Sequence, residues 1–420
     1  MKNKFYHIPV LCLLTLLIVS CSKEDRSLPQ GEEQWCVMFY FSAGDLAHEG
    51  FLMDGARQAA EAIENDEVAV TTLFKFAGNE ETTSPDLAGT IRFYSEGNTL
   101  KQDETWRQDS KYQITDPEHL SDFLRWSSAK YPNRRYILVV GGHGLAWRLN
   151  LDAPKSRSLL QEDSDAKLMA APDFALGLRQ SGVPIDLIYM NVCQQNSIET
   201  VVELQDCAHY LMATSGNTPD LGSDYSCMVR ELTRGNSLLG TTCKVMDAAF
   251  DIWKYYGSIT NASSRINSMT LTDLTRVGEI MVTLKPIVDH LIATVGDFGQ
   301  STDYPAGPGQ PFGYGYLFAA EDAANYTGKQ DSEIDLLDCI LKMPVYSGNQ
   351  KLLPLIGPFR EAVSHAIVHC NRTDGEKVCS YNILVNDKMV FDLYPQLYEA
   401  SRFDQAVGWS RFLKYKHLVV

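Results

Sequence analysis

Two residues with side chains suited to nucleophilic chemistry, His143 and Cys193, each come just after an apolar stretch of the chain. The stretches, residues 135–140 and 185–190, predict buried β-strands. A thiolate is a strong nucleophile, an imidazole can carry a proton to a leaving amine, and backbone amides can hold an oxyanion. The pair therefore predicts a thiol-based acyl-transfer site, of the kind that cleaves peptide bonds. By spacing alone, either residue can equally be a structural part of the core.

The elements around these residues must bring the two side chains together. From residue 35 onward strands alternate with helices, a pattern typical of a largely parallel sheet with helices on both faces. In such a sheet the carboxyl ends of the strands share one edge, and neighbouring strands are about 4.8 Å apart. His143 and Cys193 can therefore converge on one substrate bond. The glycines beside the histidine allow a sharp bend; they are Gly141, Gly142 and Gly144.

The other elements follow from the apolar pattern and from helix-capping residues. A helix is expected to begin after the N-cap Asp116, with Pro117 in its first turn, and to end before Pro132. From about residue 240 the pattern is helical to about 296, and it is mixed thereafter. Other helices are predicted at 53–63 and 198–204, and other strands at 35–41, 68–76, 90–94 and 210–214.

The composition excludes several classes of protein. Of the 420 residues, 45% are hydrophobic and 21% are charged, which suits a globular protein with a large core rather than a disordered one. The 53 acidic residues outnumber the 37 basic ones and give a net charge of −16. A chain this acidic has no general attraction for phosphate backbones or anionic lipids. We therefore expect no nucleic-acid partner.

Residues 1–20 are typical of an export signal rather than of a folded domain. Two lysines precede a short apolar run over 8–19, and the chain then reaches Cys21 in a pattern that resembles a bacterial lipobox. The alternative is an ordinary signal peptide with a chance cysteine. Residues 21–34 would form a tether, and its acidic start resembles the signal that sends Bacteroidetes lipoproteins to the cell surface. We expect an exported lipoprotein of the outer membrane, facing the cell surface and contacting the membrane only through its acyl chains.

The sequence around His143 and Cys193 resembles the clostripain family of cysteine peptidases, which are relatives of the caspases. The segment Gly142-His143-Gly144, followed by Trp147, matches the motif of the catalytic histidine. Val192-Cys193, followed by Ser197-Ile198-Glu199, matches the nucleophile motif. Further matches are the first strand with its following loop, the segment that lines the specificity pocket, and the C-terminal end, at residues 40–46, 210–225, 394–397 and 408–412.

The resemblance implies a caspase-like α/β/α sandwich with a largely parallel central sheet. Its catalytic domain would span residues 35–240, and residues 241–420, a mixture of helices and strands, would complete or flank that unit. The resemblance further implies that Cys193 is the nucleophile and His143 the general acid and base. The backbone amides of Gly144 and Cys193 would be the oxyanion donors.

One position departs from the family pattern. The family usually has Asp two residues before the nucleophile, where it helps to bind an Arg or Lys side chain, whereas this chain has Asn191. An amide keeps the hydrogen bonds but not the charge, so a preference for basic residues is an open question. Ser215 belongs to the pocket segment, and Asp220 or Asp224 could supply the missing charge. The alternative for each acid is a simple solvated loop residue.

Residues 145–171 form a polar, irregular stretch between the two motifs, which indicates an exposed functional loop. Family members often cut themselves after a basic residue in this loop, so Lys155 and Arg157 are candidate autoprocessing sites; the alternative is an intact solvated loop. Calcium often supports activity in the family, but the sequence has no D-x-D-x-D-G loop. We expect no required cofactor, and Ca²⁺ is implied by the resemblance only.

Of the ten cysteines, Cys370 and Cys379 are the pair that local sequence can argue for. A two-residue turn at 374–375 would place them opposite each other in a hairpin, with Cα atoms about 4.5 Å apart, where a disulfide can close. The alternating residues 362–370 predict a strand rather than a ligand-bearing helix. The neighbouring histidines are therefore not expected to bind a metal.

Three functional hypotheses follow. The first is a monomeric cysteine endopeptidase that acts on peptides or proteins, cutting after Arg or Lys if another acid replaces the one missing at position 191. The second keeps the catalytic pair with another primary specificity, because a pocket without its charge would accept a polar or small side chain. The principal alternative is a catalytically inactive relative that binds peptides or host proteins in the same cleft.

Overall fold

A computed structural model describes residues 33–44, 46–76, 89–144, 149–150, 153–157, 160–161, 168–218, 223–260, 267–295, 312–324, 333–373, 379–385 and 395–417. The predicted lipidation site Cys21, the pocket residue Asp220, Trp147 and the predicted turn at 374–375 lie outside these residues. Within the described ranges, no helix has both the length and the apolar character needed to span a membrane.

Strands and helices follow one another along the chain and are numbered in that order. The strands are β1 (Trp35–Ser42), β2 (Val68–Lys75), β3 (Thr90–Glu96), β4 (Thr99–Gln108), β5 (Arg135–Gly141), β6 (Leu149–Asn150), β7 (Ala153–Arg157), β8 (Leu160–Gln161), β9 (Leu168–Met169), β10 (Ile185–Asn191), β11 (Ala208–Thr214), β12 (Ser268–Asp273), β13 (Glu333–Asp335), β14 (Ile367–Arg372) and β15 (Asn382–Leu384). The α-helices are α1 (Leu46–Glu61), α2 (Pro117–Lys130), α3 (Ala171–Ser181), α4 (Ile198–Leu204), α5 (Tyr225–Thr233), α6 (Leu238–Thr260), α7 (Val277–Thr294), α8 (Gly313–Asp322), α9 (Leu336–Ser347), α10 (Leu353–Ala366), α11 (Pro395–Glu399), α12 (Arg402–Val407) and α13 (Trp409–His417).

Nine strands form one sheet, in the order β14-β12-β11-β10-β5-β1-β2-β3-β4. The central strands β11, β10, β5, β1 and β2 run parallel to one another. Two antiparallel strands extend the sheet at each side. The prediction of a largely parallel sheet is confirmed, and the two strands that precede the predicted site lie at its middle.

Alternate residues of β1 point to opposite faces of the sheet and enter two separate hydrophobic cores. Met38 and Tyr40 belong to the core that contains residues of α2, α3, α7, α9 and α10. Phe39 and Phe41 belong to the core that contains residues of α1, α5 and α6. Every residue of β1 is buried, as expected for a strand covered on both faces. The protein is therefore an α/β/α sandwich, as predicted.

Local signals located several elements well. α2 begins with Pro117 after the N-cap Asp116, whose carboxylate accepts a hydrogen bond of 2.9 Å from the backbone N–H of Glu118. This prediction is confirmed. By contrast, α1 begins at Leu46 rather than at residue 53.

The predicted strand over 362–370 is wrong in its first half. α10 continues through Ala366, and β14 begins at Ile367. The buried residues of this helix are spaced by three and four positions, which is a helical stripe; they include Phe359, Ala362, Val363 and Ala366. A short alternation of apolar and polar residues fits both a strand and the side of a helix. Here the buried residues continue the helical spacing of α10, so the chain stays helical through Ala366.

The predicted helical region from 240 to 296 is interrupted by β12. This strand pairs antiparallel with β11 on one side and with β14 on the other. Its threonines Thr270 and Thr272 favour a strand locally because they are β-branched. Both partners are distant in sequence, so no turn next to β12 indicates the pairing.

Candidate active site

The strands that precede His143 and Cys193 are neighbours. β5 and β10 pair in parallel, and Gly141 at the end of one lies opposite Asn191 at the end of the other. His143 and Cys193 each follow two residues later, so both leave the sheet at the same level of one edge. Both residues are partly exposed, which allows a substrate to reach them. Gly144, a predicted oxyanion donor, is buried at the same edge.

The imidazole of His143 lies in a tight setting of glycines and one other ring. Gly142 has φ +143°, and a Cβ there would lie 2.5 Å from the carbonyl oxygen of Ser42. A Cβ on Gly44, which has φ +68°, would lie 2.9 Å from Cδ2 of His143. The ring of His48 lies against the imidazole at a tilt, with ring centroids 4.0 Å apart. The imidazole therefore lies close to Gly44 and His48, where a larger residue than glycine at position 44 would clash with it.

Cys193 begins a sharp turn between β10 and α4. Its Sγ lies 3.8 Å from the carbonyl oxygen of Thr218. The next residue, Gln194, has φ +60°, a conformation that is uncommon for a residue other than glycine. The backbone N–H of Gln194 donates to the carbonyl of Gly216 at 2.9 Å, and its side-chain amide donates to Oδ1 of Asn217 at 2.8 Å. The turn is therefore held by the segment that follows β11.

Asn191 is buried at the end of β10. Its Nδ2 donates a hydrogen bond of 2.6 Å to the hydroxyl oxygen of Tyr225, a phenol whose pKa burial raises. Its Oδ1 is also buried and meets no hydrogen-bond partner among the described residues. Buried acceptors seldom lack a partner in folded proteins. The site thus has a neutral amide oxygen, without a hydrogen-bond partner among the described residues, at the position where the family usually has a charged carboxylate.

Asp224, a candidate for the missing charge, lies at the start of α5. Its carboxylate caps α5 by accepting a hydrogen bond of 3.0 Å from the backbone N–H of Cys227, and it accepts another from the hydroxyl of Ser226. Arg230 lies 3.1 Å away. Partial burial opposes ionisation, but the hydrogen bonds and the cation together lower the pKa of Asp224. The carboxylate is therefore occupied at the helix terminus.

Ser215 is fully buried, and its Oγ accepts hydrogen bonds from Nδ2 of Asn196 at 2.9 Å and from the hydroxyl of Ser268 at 2.8 Å. These bonds attach the pocket segment to the core.

The stretch over 145–171 is partly anchored rather than wholly exposed. Lys155 and Arg157 lie on β7, which pairs antiparallel with β6. Leu160 and Met169 pair across β8 and β9, and both are buried in the core. Because these apolar side chains favour burial, the stretch is tied down near its centre and near its end.

A disulfide joins Cys370 on β14 to Cys379. The expected hairpin is wrong, because β14 pairs with β12 and Cys379 lies outside a strand. The Cα atoms are 6.2 Å apart, not at the closer spacing of a facing hairpin pair.

The ranges covered by the structure hold no group of three His, Cys, Asp or Glu side chains that could bind a metal ion.

A sequence model of the clostripain family matches residues 58–415. The chain belongs to the clostripain family. As a member of this family it is a cysteine endopeptidase, and the match includes both strands of the site and most of the C-terminal elements. No curated protein sequence matches the chain.

Solved structures of clostripain-family proteins share this fold. An inactive zymogen C11 protease from Parabacteroides distasonis has a TM-score of 0.62 and 13% sequence identity, over 90% of this chain and 99% of that one. A secreted C11 cysteine protease from Bacteroides thetaiotaomicron, iotapain, has a TM-score of 0.61 and 14% identity, over 89% and 99%. A further structure, of a secreted C11 cysteine protease from Bacteroides thetaiotaomicron, contains an irreversible peptide inhibitor. At such identities the likeness establishes the fold alone.

Several residues of the site could not be predicted from local sequence. His48 contacts His143, and Tyr225 contacts Asn191, only after distant segments have folded together. Tyr225 belongs to the segment 210–225 that resembles the specificity pocket of the family, and Asn196 has a local signal, because an asparagine just before the helix N-cap Ser197 is a residue type that stabilises turns. His48 has no signal that separates it from other surface positions, and the conformation of Gln194 has none either.

Proposed function

We propose that this clostripain-family peptidase cleaves peptide bonds through attack by Cys193, with His143 as the proton carrier. The observation that supports the assignment is the register of β5 and β10, in which Gly141 lies opposite Asn191. Two residues beyond that pair, a thiol and an imidazole leave adjacent strand ends. Both are partly exposed at the edge of the sheet where substrates bind in this class of fold.

The reaction uses two proton transfers in its first half. His143 takes the proton of the Cys193 thiol, and the sulfur attacks the carbonyl carbon of the scissile peptide bond. The backbone amides of Gly144 and Cys193 stabilise the oxyanion. The C–N bond then breaks, and His143 gives its proton to the leaving amine. A water molecule, deprotonated by His143, hydrolyses the thioester and restores the thiol.

We further propose that the residue before the cut has a hydrogen-bond-donating side chain, with Arg and Lys as the candidates that the family resemblance implies. The supporting observation is the buried Oδ1 of Asn191, which has no partner among the described residues. A hydrogen bond between neutral groups contributes about 0.5–1.5 kcal/mol, and one with a charged partner about 1.5–3 kcal/mol. An Arg or Lys donor gains this difference on Oδ1 but forms no ion pair there, so its preference over a neutral donor such as Gln is expected to be smaller than with an aspartate at position 191.

A fluorogenic peptide library varied at the residue before the cut tests both proposals. The wild type is expected to hydrolyse peptides in reducing buffer, and Cys193→Ala is expected to be inactive. Asn191→Asp should raise kcat/KM for Arg and Lys peptides about ten-fold relative to Gln peptides, because only the cationic side chains form an ion pair with the new carboxylate. Parallel assays with calcium and with a chelator measure whether the family's dependence on Ca²⁺ extends to this chain.

The two proposals fail in different ways. Equal hydrolysis by wild type and Cys193→Ala, or silence of both, would refute the peptidase mechanism and make peptide binding the function to test. An equal effect of Asn191→Asp on Arg and Gln peptides would refute only the proposed specificity.

We also propose that the protein is anchored to the outer membrane through a lipidated Cys21, and that it cuts itself after Lys155 or Arg157. The lipobox pattern supports the first proposal, and the position of both basic residues between the two motifs supports the second. Mass spectrometry of protein purified from membranes checks both. An unmodified Cys21 or an uncut chain would contradict the respective proposal.

A further inference from the structure

Asn196, three residues after Cys193, is completely buried and has hydrogen-bond partners in distant parts of the chain. Its backbone N–H donates to the carbonyl of Thr214 at 2.9 Å, at the end of β11. Its backbone carbonyl accepts from the N–H of Asn382 at 2.8 Å, at the start of β15. The main chain is thus fixed on both sides at the point where the nucleophile turn enters α4.

The side chain of Asn196 is equally occupied. Nδ2 donates to the Oγ of Ser215 at 2.9 Å and to the carbonyl of Ser380 at 3.0 Å. Oδ1 accepts from the hydroxyl of Thr270 on β12 at 2.7 Å. One carboxamide therefore links the nucleophile turn, the pocket segment, an antiparallel strand of the sheet and the C-terminal segment.

The C-terminal anchor of Asn196 is itself well fixed. Ser380 Oγ accepts a hydrogen bond from the N–H of Leu337, and the carbonyl of Tyr381 accepts one from Leu336. The preceding residue, Cys379, is joined by the disulfide to β14. An anchor held in this way can resist displacement of the turn.

We propose that Asn196 is a positioning residue for the Cys193 nucleophile, an inference that rests on the function proposed above. Gln194 has φ +60°, and such a conformation persists only where surrounding contacts impose it. Without the carboxamide of Asn196 the turn can relax, and Cys193 moves away from the scissile carbonyl. A displacement of about 1 Å in a reacting group can lower a rate about 100-fold.

Three substitutions test the inference. Asn196→Ala removes every side-chain hydrogen bond of this residue, and Thr270→Val removes one donor to it without a change of shape. Thr272→Val is the matched control, because Thr272 is buried on the same strand but has its hydroxyl 3.3 Å from that of Tyr381 instead. Each variant is assayed for kcat, KM, melting temperature and the rate constant for alkylation of Cys193 by iodoacetamide.

We expect kcat to fall about 10- to 100-fold in Asn196→Ala and about 3- to 10-fold in Thr270→Val, with a smaller change in KM. The alkylation rate constant should fall along with kcat. Thr272→Val should stay within about two-fold of wild type in both rates, and its melting temperature should fall less than that of Thr270→Val because it loses a longer hydrogen bond. A purely structural role for Asn196 would lower the melting temperature of Thr270→Val and leave both rates of the folded protein at the wild-type level.

The inference is overturned if folded Asn196→Ala retains wild-type kcat, or if Thr270→Val and Thr272→Val have the same kcat and alkylation rate. If Asn196→Ala has no cooperative melting transition, the comparison of kcat and alkylation rate between Thr270→Val and Thr272→Val tests the inference in its place. A wild type with neither peptide turnover nor a reactive Cys193 would refute the proposed function itself, and the inference would fall with it. A reactive Cys193 that is insensitive to Asn196 would refute the inference alone.

Discussion

The position of His143 depends on backbone freedom at Gly142. This glycine has φ +143°, a region that side-chain-bearing residues rarely enter. A Cβ there would lie 2.5 Å from the carbonyl oxygen of Ser42 and 3.1 Å from Cδ1 of Leu160. The backbone oxygen belongs to β1 and cannot move without disturbing the sheet, so this glycine lets the chain turn from β5 to His143.

Gly142→Ala is therefore expected to lower both stability and activity. The strained backbone and the clash should reduce the free energy of unfolding by about 2–4 kcal/mol and kcat by more than about ten-fold. Gly182→Ala is the control: its φ is +67°, but no atom lies within 4 Å of the added Cβ, so it should cost about 1 kcal/mol and leave kcat unchanged. Urea unfolding and peptide hydrolysis measure the two effects. Equal losses in the two variants would contradict this role of Gly142.

Residue type and strand context could predict Cys193 and His143, because both follow apolar stretches long enough to be buried strands. The conformation of Gln194 could not be predicted, since a glutamine with positive φ has no signature in composition. Local sequence does not predict the contacts of Asp224, because an acidic residue before a helix and one in a pocket loop look alike. Its cap on α5 and its ion pair with Arg230 are visible only in the folded chain.

A buried acid of α4 forms hydrogen bonds with the C-terminal elements. Glu199 is completely buried, and its Oε1 accepts hydrogen bonds of 2.8 Å from the hydroxyl of Tyr398 and 3.1 Å from the N–H of Leu384. Burial raises the pKa of Glu199 to about 7, although these hydrogen bonds favour the charged form. The folded protein therefore retains a proton that the unfolded chain has released.

The pH dependence of stability follows from this difference. Between the ordinary carboxyl pKa of 4.5 and the folded value of about 7, the folded state binds more protons, so stability falls as pH rises and then levels off above about pH 7. Glu199→Gln cannot ionise and should gain about 2–3 kcal/mol relative to wild type between pH 5 and pH 8. Urea unfolding of both proteins across this range is the measurement. Parallel stability curves would show that Glu199 does not titrate as described.

Local sequence patterns do not predict some of the elements, and each failure has a physical reason. β4 is a mostly exposed strand at the edge of the sheet, so its sequence has no apolar alternation to detect. β12 is short and pairs with distant strands. α10 and β14 adjoin without a break at Ala366 and Ile367, where the side-chain pattern changes period within a few residues.

The nine-stranded sheet includes strands from beyond residue 240 of the chain. β12 and β14 extend it beyond β11, and they come from the C-terminal half of the chain. That half also supplies the partners of Asn196 and Glu199. Local sequence could predict the central strands but not this arrangement, because the partners of Asn196 are separated from it by as many as 186 positions. The family match over 58–415 covers both halves.

Alkylation of the native protein tests whether His143 activates Cys193, without knowledge of the substrate. The chain has internal controls in Cys227 and Cys243, which are partly exposed but have a pKa raised by burial. Iodoacetamide should label Cys193 at one equivalent and at least about ten times faster than either control, since the thiolate is the reactive form. His143→Ala should remove that advantage. Labelling of Cys193 no faster than Cys243, or at the same rate in the His143 variant, would contradict the claim.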